Sequence, residues 1–269
     1  MAWKMTVTRN VLEHLVAHFE QPAFIESDPI SIPHAFDDPR DQEVIGFYAA
    51  LLAWGRRDIV LKKMADLCER MDYRPYRFVR DFHRGTRAHQ LEGFKHRTFQ
   101  PEDAYWLTLM LSRALAIYGT MEDLFAEHLP PDSPDVGPAL EGVYHTLISR
   151  APEAPLRVRK HIARPSSGSA CKRLNMYLRW MVRSGPVDLG IWKRISPRQL
   201  LLPLDVHVER TARSWGLLRR KQNDWKAVQE LTRACRAYAA EDPARYDFAL
   251  FGASIYGLPE GISSPGRMA

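Results

Sequence analysis

Two residues in the second half of the chain have the types and surroundings that suit nucleophilic chemistry. The first, Lys172, follows a segment of small residues, 166–171, and falls in or beside the first turn of an expected helix. The positive end of a helix dipole disfavours an ammonium there, so an amine in this place can be kept partly neutral and nucleophilic. The alternative is a solvated lysine in a basic stretch, and the sequence leaves both open.

The second residue is Asp205. An apolar run, residues 200–204, places it at the start of an expected helix that ends near Trp215. An Asp at an N-cap stabilises a helix by about 0.5–2 kcal/mol, which would explain the residue by structure alone. The alternative is a carboxylate that the cap geometry holds in place and directs into a pocket.

The elements that position these two residues are expected to be helices, because apolar residues recur at helical spacing nearly throughout and no alternating strand pattern exceeds about four residues. Expected helix boundaries are an N-cap at Asp58 and glycine stops at Gly119 and Gly185. The expected helices are 44–53, 59–71, 101–118, 121–128, 171–184, 206–215, 225–240 and 246–253. The predicted class is all-α.

Composition narrows the classes of protein. The 269 residues are 45% apolar and 26% charged, and 38 basic against 32 acidic residues give a net charge of +6. That excess fits a polyanionic partner without requiring one. The longest uncharged apolar stretch, residues 44–55, is far shorter than the roughly 20 residues of a membrane span. Lys4 and Arg9 lie where a signal peptide would need its apolar core, so neither membrane insertion nor secretion is expected.

Cysteine usage indicates a reduced, cytoplasmic protein. Cys68, Cys171 and Cys235 are widely separated and form no C-x-x-C pair, so neither a disulfide framework nor a zinc or iron–sulfur site is expected. The histidines are scattered without ligand spacing, and no metal is expected.

Taken together, the two chemical elements resemble the helix-hairpin-helix DNA glycosylase superfamily, which includes endonuclease III and 8-oxoguanine DNA glycosylase. The resemblance lies in the sequence Lys-Arg-Leu-Asn that begins at Lys172 and in Pro-Leu-Asp-Val-His-Val-Glu-Arg over residues 203–210. It implies one domain, 1–269, with a two-lobed all-α fold. Residues from about 40 to 255 resemble the glycosylase core, and residues 156–216 resemble its hairpin and catalytic segment. The chain also resembles an uncharacterised bacterial family within this superfamily.

By this resemblance Lys172 corresponds to the Schiff-base lysine of the bifunctional members and Asp205 to their catalytic aspartate. The implied activity is excision of a damaged base from double-stranded DNA, followed by strand cleavage at the abasic site. An oxidised base such as 8-oxoguanine is the first expectation, because residues 203–207 are closer to the 8-oxoguanine glycosylase pattern. A monomer associated with the bacterial nucleoid is implied, and no iron–sulfur cofactor is expected.

The resemblance also implies DNA contacts, since backbone N–H groups at a helix start bind phosphate without any particular side chain. Trp54 and Phe248 are the expected base-pocket residues. The expected DNA-binding residues are Arg56, Arg57, Arg164, Ser167, Gly168, Ser169, Ala170, Arg173 and His207. The alternatives are surface charges for the arginines, a core aromatic for Trp54 and a helix-surface histidine for His207.

The hairpin departs from the superfamily pattern. Where that pattern reads Leu-Pro-Gly-x-Gly, residues 166–170 read Ser-Ser-Gly-Ser-Ala, so only one glycine is kept. A weaker grip on the DNA backbone would follow. The alternative function is therefore a non-catalytic DNA- or RNA-binding protein of the same fold, and a helical scaffold with a merely solvated basic face is a further possibility.

Overall fold

Residues 7–85 and 87–262 are described by the computed structural model of the chain, and they confirm the all-α class. These residues form α-helices, short 3-10 helices and loops, and no β-strand occurs among them. The only strand-like pairings within the described ranges are isolated bridges, one of which joins Ser169 to Asp224.

The helices follow one another along the chain with short connections. They are α1 (Arg9–Phe19), α2 (Ser31–His34), α3 (Pro39–Leu52), α4 (Arg57–Arg70), α5 (Pro75–Phe82), α6 (Pro101–Tyr118), α7 (Met121–Ala126), α8 (Gly137–Arg150), α9 (Lys172–Val182), α10 (Val206–Ser214), α11 (Trp225–Arg236) and α12 (Tyr246–Tyr256).

Several helix boundaries lie where capping chemistry predicts them. Helix α6 begins at Pro101 behind a capping box in which the side chains of Gln100 and Asp103 each accept from the other's backbone N–H. It ends at Gly119, whose φ of 81° is a conformation that glycine adopts without steric cost. Helix α10 begins directly after Asp205, which confirms this residue as an N-cap.

Two predicted helix ranges are wrong at one end, because α3 is capped by Asp38 and begins at Pro39, and α11 ends at Arg236. Two predicted cap residues are also wrong. Asp58 is not the N-cap of α4, because the cap position is Arg56 and Asp58 lies in the first turn. There its carboxylate complements the helix dipole and accepts from the Arg56 guanidinium. Gly185 does not end α9, whose C-cap is Arg183. The last carbonyls of α9 are satisfied by the returning loop, since Trp192 N–H donates to the Met181 carbonyl at 2.8 Å.

The described residues divide into two compact units. The first unit contains residues 7–24, 134–136 and 165–262, and the second contains residues 25–133 and 137–164.

In the first unit, α12 packs against both α1 and α10. Its close approach to α1 depends on Gly252, because a Cβ atom there would lie 2.3 Å from the ring of Phe19. The core of this unit includes the fully buried aromatic side chains of Tyr177, Trp180 and Tyr246.

In the second unit, α5 packs against α3 and α6, and α8 packs against α6 and α7. The inward side of α5 carries the buried side chains of Phe78, Val79 and Phe82. No helix within the described ranges combines the length and the apolar character that crossing a bilayer requires.

Candidate active site

Lys172 is the first residue of α9, in the first unit. The residue before it, Cys171, is buried and has a left-handed backbone conformation, with φ of 47°. Its carbonyl accepts from Asn175 N–H at 2.9 Å, and the Asn175 side-chain amide donates to the Ala170 carbonyl at 3.1 Å. These hydrogen bonds join the start of α9 to the segment that precedes it. They therefore hold in place the backbone from which the Lys172 side chain projects.

Asp205 is fixed by the helix that it caps. Its Oδ1 atom accepts from the backbone N–H groups of His207 at 2.9 Å and Val208 at 2.8 Å. These two bonds hold the carboxylate in one orientation and leave its second oxygen, Oδ2, available for another group. Both of the roles considered from the sequence are therefore compatible, because capping α10 occupies one oxygen only.

The two candidate residues form an ion pair. Lys172 Nζ lies 3.4 Å from Asp205 Oδ2, with the lysine side chain 39% exposed and the aspartate 12% exposed. The N-termini of α9 and α10 therefore approach each other at this pair, and their dipoles add to the positive potential around it. A carboxylate beside the lysine offsets that potential and is within reach to take up its proton.

The segment before Lys172 is an ordered turn. A 3-10 helix, Pro165–Ser167, leads into Gly168, whose N–H donates to the Pro165 carbonyl at 2.8 Å and whose φ is 77°. Ser169 Oγ accepts from Cys171 N–H at 3.1 Å. Arg173, beside Lys172, is half-buried, and burial lowers the pKa of its guanidinium.

A buried ionic network lies within the same unit, behind α9. Arg179, in the middle of α9, donates to Asp188 at 3.2 Å and to Asp247 in the first turn of α12. Arg183 donates to Glu20 at 2.9 Å and also contacts Asp188. The arginines and carboxylates satisfy one another away from water, as buried charges must.

Asp247 couples this network to the candidate pair. Burial is the largest influence on the pKa of its carboxyl, which is raised to about 7, and the positive charge of Arg179 opposes this increase. The negative charge of Asp205 raises the pKa as well, and the positive charge of Lys172 lowers it. A group that titrates near neutrality and is influenced by both candidate residues can change the potential at the site with pH.

Asp247, Arg179 and Asp188 were not identified from the sequence as site residues. The sequence contains one indication of this network: Arg179 lies between the apolar residues Leu178 and Trp180, so it is expected to be buried. A buried cation requires a buried anion nearby.

Two other expected residues also lie in the first unit. His207 is half-buried on α10, with its ring 5.7 Å from that of Phe251, and its Nδ1 atom has no hydrogen-bond partner among the described residues. Phe248 is 2% exposed, and the guanidinium carbon of Arg179 lies 4.3 Å from the centre of its ring. Its role as a base-pocket residue stays a prediction.

The remaining expected residues lie in the second unit. Trp54 is half-buried, with its ring 5.9 Å from that of His96, which donates to the Trp54 carbonyl at 3.1 Å. Arg56 is 80% exposed and paired with Asp58 at 2.8 Å.

Arg57 lies 4.0 Å from Asp28, and Arg164 lies 4.3 Å over the ring of Tyr144. The DNA-binding roles of these arginines stay predictions.

Within the described ranges, no group of three or more histidine, cysteine, aspartate or glutamate side chains is arranged to hold a metal ion. The family model described as "Protein of unknown function (DUF2400)" matches residues 28–256, which include both candidate residues and the buried network's Asp247. No curated protein and no solved structure matches the chain significantly.

Proposed function

The chain belongs to the DUF2400 family, and we propose that it is a DNA base-excision glycosylase with an associated lyase activity. The observation that carries the proposal is the ion pair of Lys172 and Asp205, in which the carboxylate is fixed by two backbone N–H groups and its free oxygen faces the amine at 3.4 Å. These are the two residues on which the resemblance to the helix-hairpin-helix glycosylases depends.

The proposed reaction begins when Asp205 takes up a proton from the Lys172 ammonium. The neutral amine attacks C1′ of the damaged nucleotide, the bond from C1′ to the base breaks, and the base leaves with the electron pair and takes up a proton. Opening of the sugar gives an imine between Lys172 and C1′. Loss of a proton from C2′ then breaks the C3′–O bond and cleaves the strand, and water hydrolyses the imine to regenerate the lysine.

The proposed substrate is double-stranded DNA in which the damaged base is flipped out of the duplex, at a cost of a few kcal/mol. An oxidised base such as 8-oxoguanine is proposed on the likeness of residues 203–207. The division of the chain into two compact helical units supports the two-lobed glycosylase-like fold that belongs to this proposal.

One observation favours the alternative of a binding protein without catalysis. The Gly168 N–H donates to the Pro165 carbonyl, so this donor is already used within the turn. A turn that offers fewer free N–H groups holds a phosphate less tightly. The pairing of Lys172 with Asp205 opposes this alternative, because binding DNA requires no carboxylate beside the lysine.

The proposal is tested by incubating the protein with duplexes that carry 8-oxoguanine, an oxidised pyrimidine or an abasic site. Released base and cleaved strand are measured for the wild type and for Asp205→Asn. We expect base release and cleavage by the wild type, and loss of both in the variant. Salt-dependent binding without either product on any duplex would favour the non-catalytic alternative.

A further inference from the structure

A cavity of about 280 Å³ in the second unit has a basic lining. The side chains come from the turn after α4, from the start of α5 and from the segment beyond α5. They are Asp72, Arg74, Arg77, Phe78 and Arg87. Three cations less one anion give the lining a formal charge of +2, and no residue of the Lys172–Asp205 site belongs to it.

Arg87 is held in place within this lining. Its Nη1 atom donates to Asp72 Oδ2 at 3.1 Å, and its guanidinium lies 5.7 Å over the ring of Phe78. The Gln90 amide donates to the same carboxylate oxygen at 3.4 Å. One planar donor group is therefore already oriented before any ligand is present, which lowers the entropic cost of binding.

The other two arginines have little local compensation. No carboxylate of the described residues lies within 4.0 Å of the Arg74 guanidinium, and Asp41 interacts with its charge only over a longer distance. Arg77 approaches Asp81 at 3.9 Å, but that carboxylate lies closer to Arg80, at 3.0 Å, and also faces Arg84. The unbalanced charge of the cavity is thus carried by Arg74 and Arg77.

The backbone beside the cavity is strained. Asp72 and Tyr73 are consecutive non-glycine residues in the left-handed region, with φ of 53° and 51°. Aspartate tolerates this conformation, whereas for a bulky aromatic residue it is an outlier. At Asp72 this conformation is the ordinary end of α4, because the Tyr73 N–H donates to the Cys68 carbonyl at 2.9 Å. The strain that remains is at Tyr73, where the surrounding structure must impose it.

We propose that this cavity is a binding site for a phosphate group. Arginine presents a fork of N–H donors that matches two phosphate oxygens, and three such groups around one carboxylate suit a dianion or a phosphodiester. The cavity lies below the roughly 300–1,000 Å³ of pockets for larger ligands, which fits a phosphate with a small substituent. The inference is independent of the proposed function, and the phosphate belongs either to a small molecule or to a nucleic-acid backbone.

The test is calorimetric titration of the full chain with inorganic phosphate, in a buffer otherwise free of multivalent anions. Arg74→Gln with Arg77→Gln is expected to weaken phosphate binding by about tenfold or more, since each lost fork removes a charge-assisted bidentate contact. The matched control, Lys62→Gln with Lys160→Gln, removes the same charge from exposed positions of the second unit outside the lining and is expected to leave binding unchanged. Thermal melting in phosphate-free buffer checks that each variant is folded.

The double substitution Arg74→Lys with Arg77→Lys keeps both positive charges. It therefore distinguishes binding through the arginine N–H donors from attraction by positive charge alone. We expect it to weaken phosphate binding by about threefold or more, because lysine keeps the charge and loses the fork. The proposal would be overturned if the Arg74→Gln, Arg77→Gln variant bound phosphate as tightly as the wild type. It would also be overturned if the matched control lost as much phosphate affinity as that variant.

Titration with an undamaged duplex then identifies the source of the phosphate. If the glutamine pair weakens binding of both phosphate and duplex, and the control does not, the ligand is a nucleic-acid backbone. Weaker phosphate binding with unchanged duplex binding assigns the site to a phosphorylated small molecule. Because the proposed chemistry of Lys172 and Asp205 uses none of these residues, failure of the phosphate site leaves the test of base release and strand cleavage unaffected.

Discussion

Substitution of Asp205 separates its capping role from its proposed chemical role. Asp205→Ala removes the acceptor of two backbone N–H groups, and such a cap is worth about 0.5–2 kcal/mol. Asp205→Asn keeps an oxygen for the cap and loses the charge. The loss of complementation of the α10 dipole costs about 0.3–1 kcal/mol, and loss of the partly exposed ion pair adds about 0–1 kcal/mol.

The free energy of unfolding is therefore expected to fall by no more than about 2 kcal/mol in Asp205→Asn and by no more than about 4 kcal/mol in Asp205→Ala, which also loses the cap. Each kcal/mol lowers the melting temperature by about 2–4 °C. The chemical effect is expected to be much larger. Loss of a general base lowers the rate by about 10²–10⁴-fold, so the single-turnover rate of strand cleavage should fall by that factor in Asp205→Asn. Chemical denaturation and quenched cleavage assays measure the two quantities separately.

Asp38 supplies the matched control. It is also an aspartate N-cap, accepting from Arg40 N–H at 2.9 Å and pairing with the Arg40 guanidinium at 2.9 Å. Asp38→Asn is expected to cost a similar free energy of unfolding and to leave the cleavage rate unchanged. A cleavage rate for Asp205→Asn within about threefold of the wild type, against the 10²–10⁴ expected, would refute the catalytic role and leave Asp205 as a cap only.

Three further predictions concern residues of the first unit. Lys172→Ala should abolish imine formation and leave the affinity for duplex DNA, measured by fluorescence anisotropy, within about threefold of the wild type. The reason is that one partly exposed charge, screened by salt, contributes little to that affinity. Equal loss of imine formation and of affinity would contradict the assigned role. Asp247→Asn should flatten the pH dependence of stability: because the folded-state pKa of Asp247 is raised to about 7, the folded state holds this proton more tightly than the unfolded state, so wild-type stability is highest below the unfolded pKa of about 4 and falls as pH rises towards 7. Denaturation at pH 5 and pH 8 should show a smaller difference for the variant, and an unchanged difference would contradict the raised pKa. Gly168→Ala should cost about 1 kcal/mol in urea denaturation, from its φ of 77° alone, because a Cβ there meets nothing within 4 Å; a neutral effect would show that the turn relaxes.

The sequence was sufficient where one strong local signal marks an element. Pro101 locates the start of α6, Gly119 its end, and Asp205 the start of α10. Helix α8, which begins with Gly137 and Pro138, was not predicted, because Gly137 closes a stretch rich in turn-forming residues, Pro130, Pro131 and Pro134 among them. Proline at the second position of a helix lacks only an N–H that would be unsatisfied there, so the same residues begin a helix equally well.

Helix α5 is short, begins with proline and is dense in arginine, so its apolar pattern is brief. Its stability comes from burying Phe78 and Phe82 in the second unit, which is a tertiary effect that local propensity does not contain.

The candidate site was predictable in its residues and not in its geometry. Lys172 and Asp205 were identified by type and context, but their separation depends on how α9 and α10 pack and on the irregular loop between them. The buried partners Arg179, Asp188 and Asp247 come from three separate segments, α9, the following loop and α12. Nothing in their spacing along the chain indicates that they meet.

The most direct test of the proposed function is borohydride trapping on duplexes that carry 8-oxoguanine, an oxidised pyrimidine or an abasic site, with Lys172→Ala beside the wild type. Reduction converts an imine into a stable amine, so a covalent protein–DNA adduct reports the nucleophile directly. We predict an adduct in the wild type, attached at Lys172, and none in the variant. An adduct of equal yield in Lys172→Ala, or no adduct on any of the three duplexes, would contradict the proposed Schiff-base chemistry.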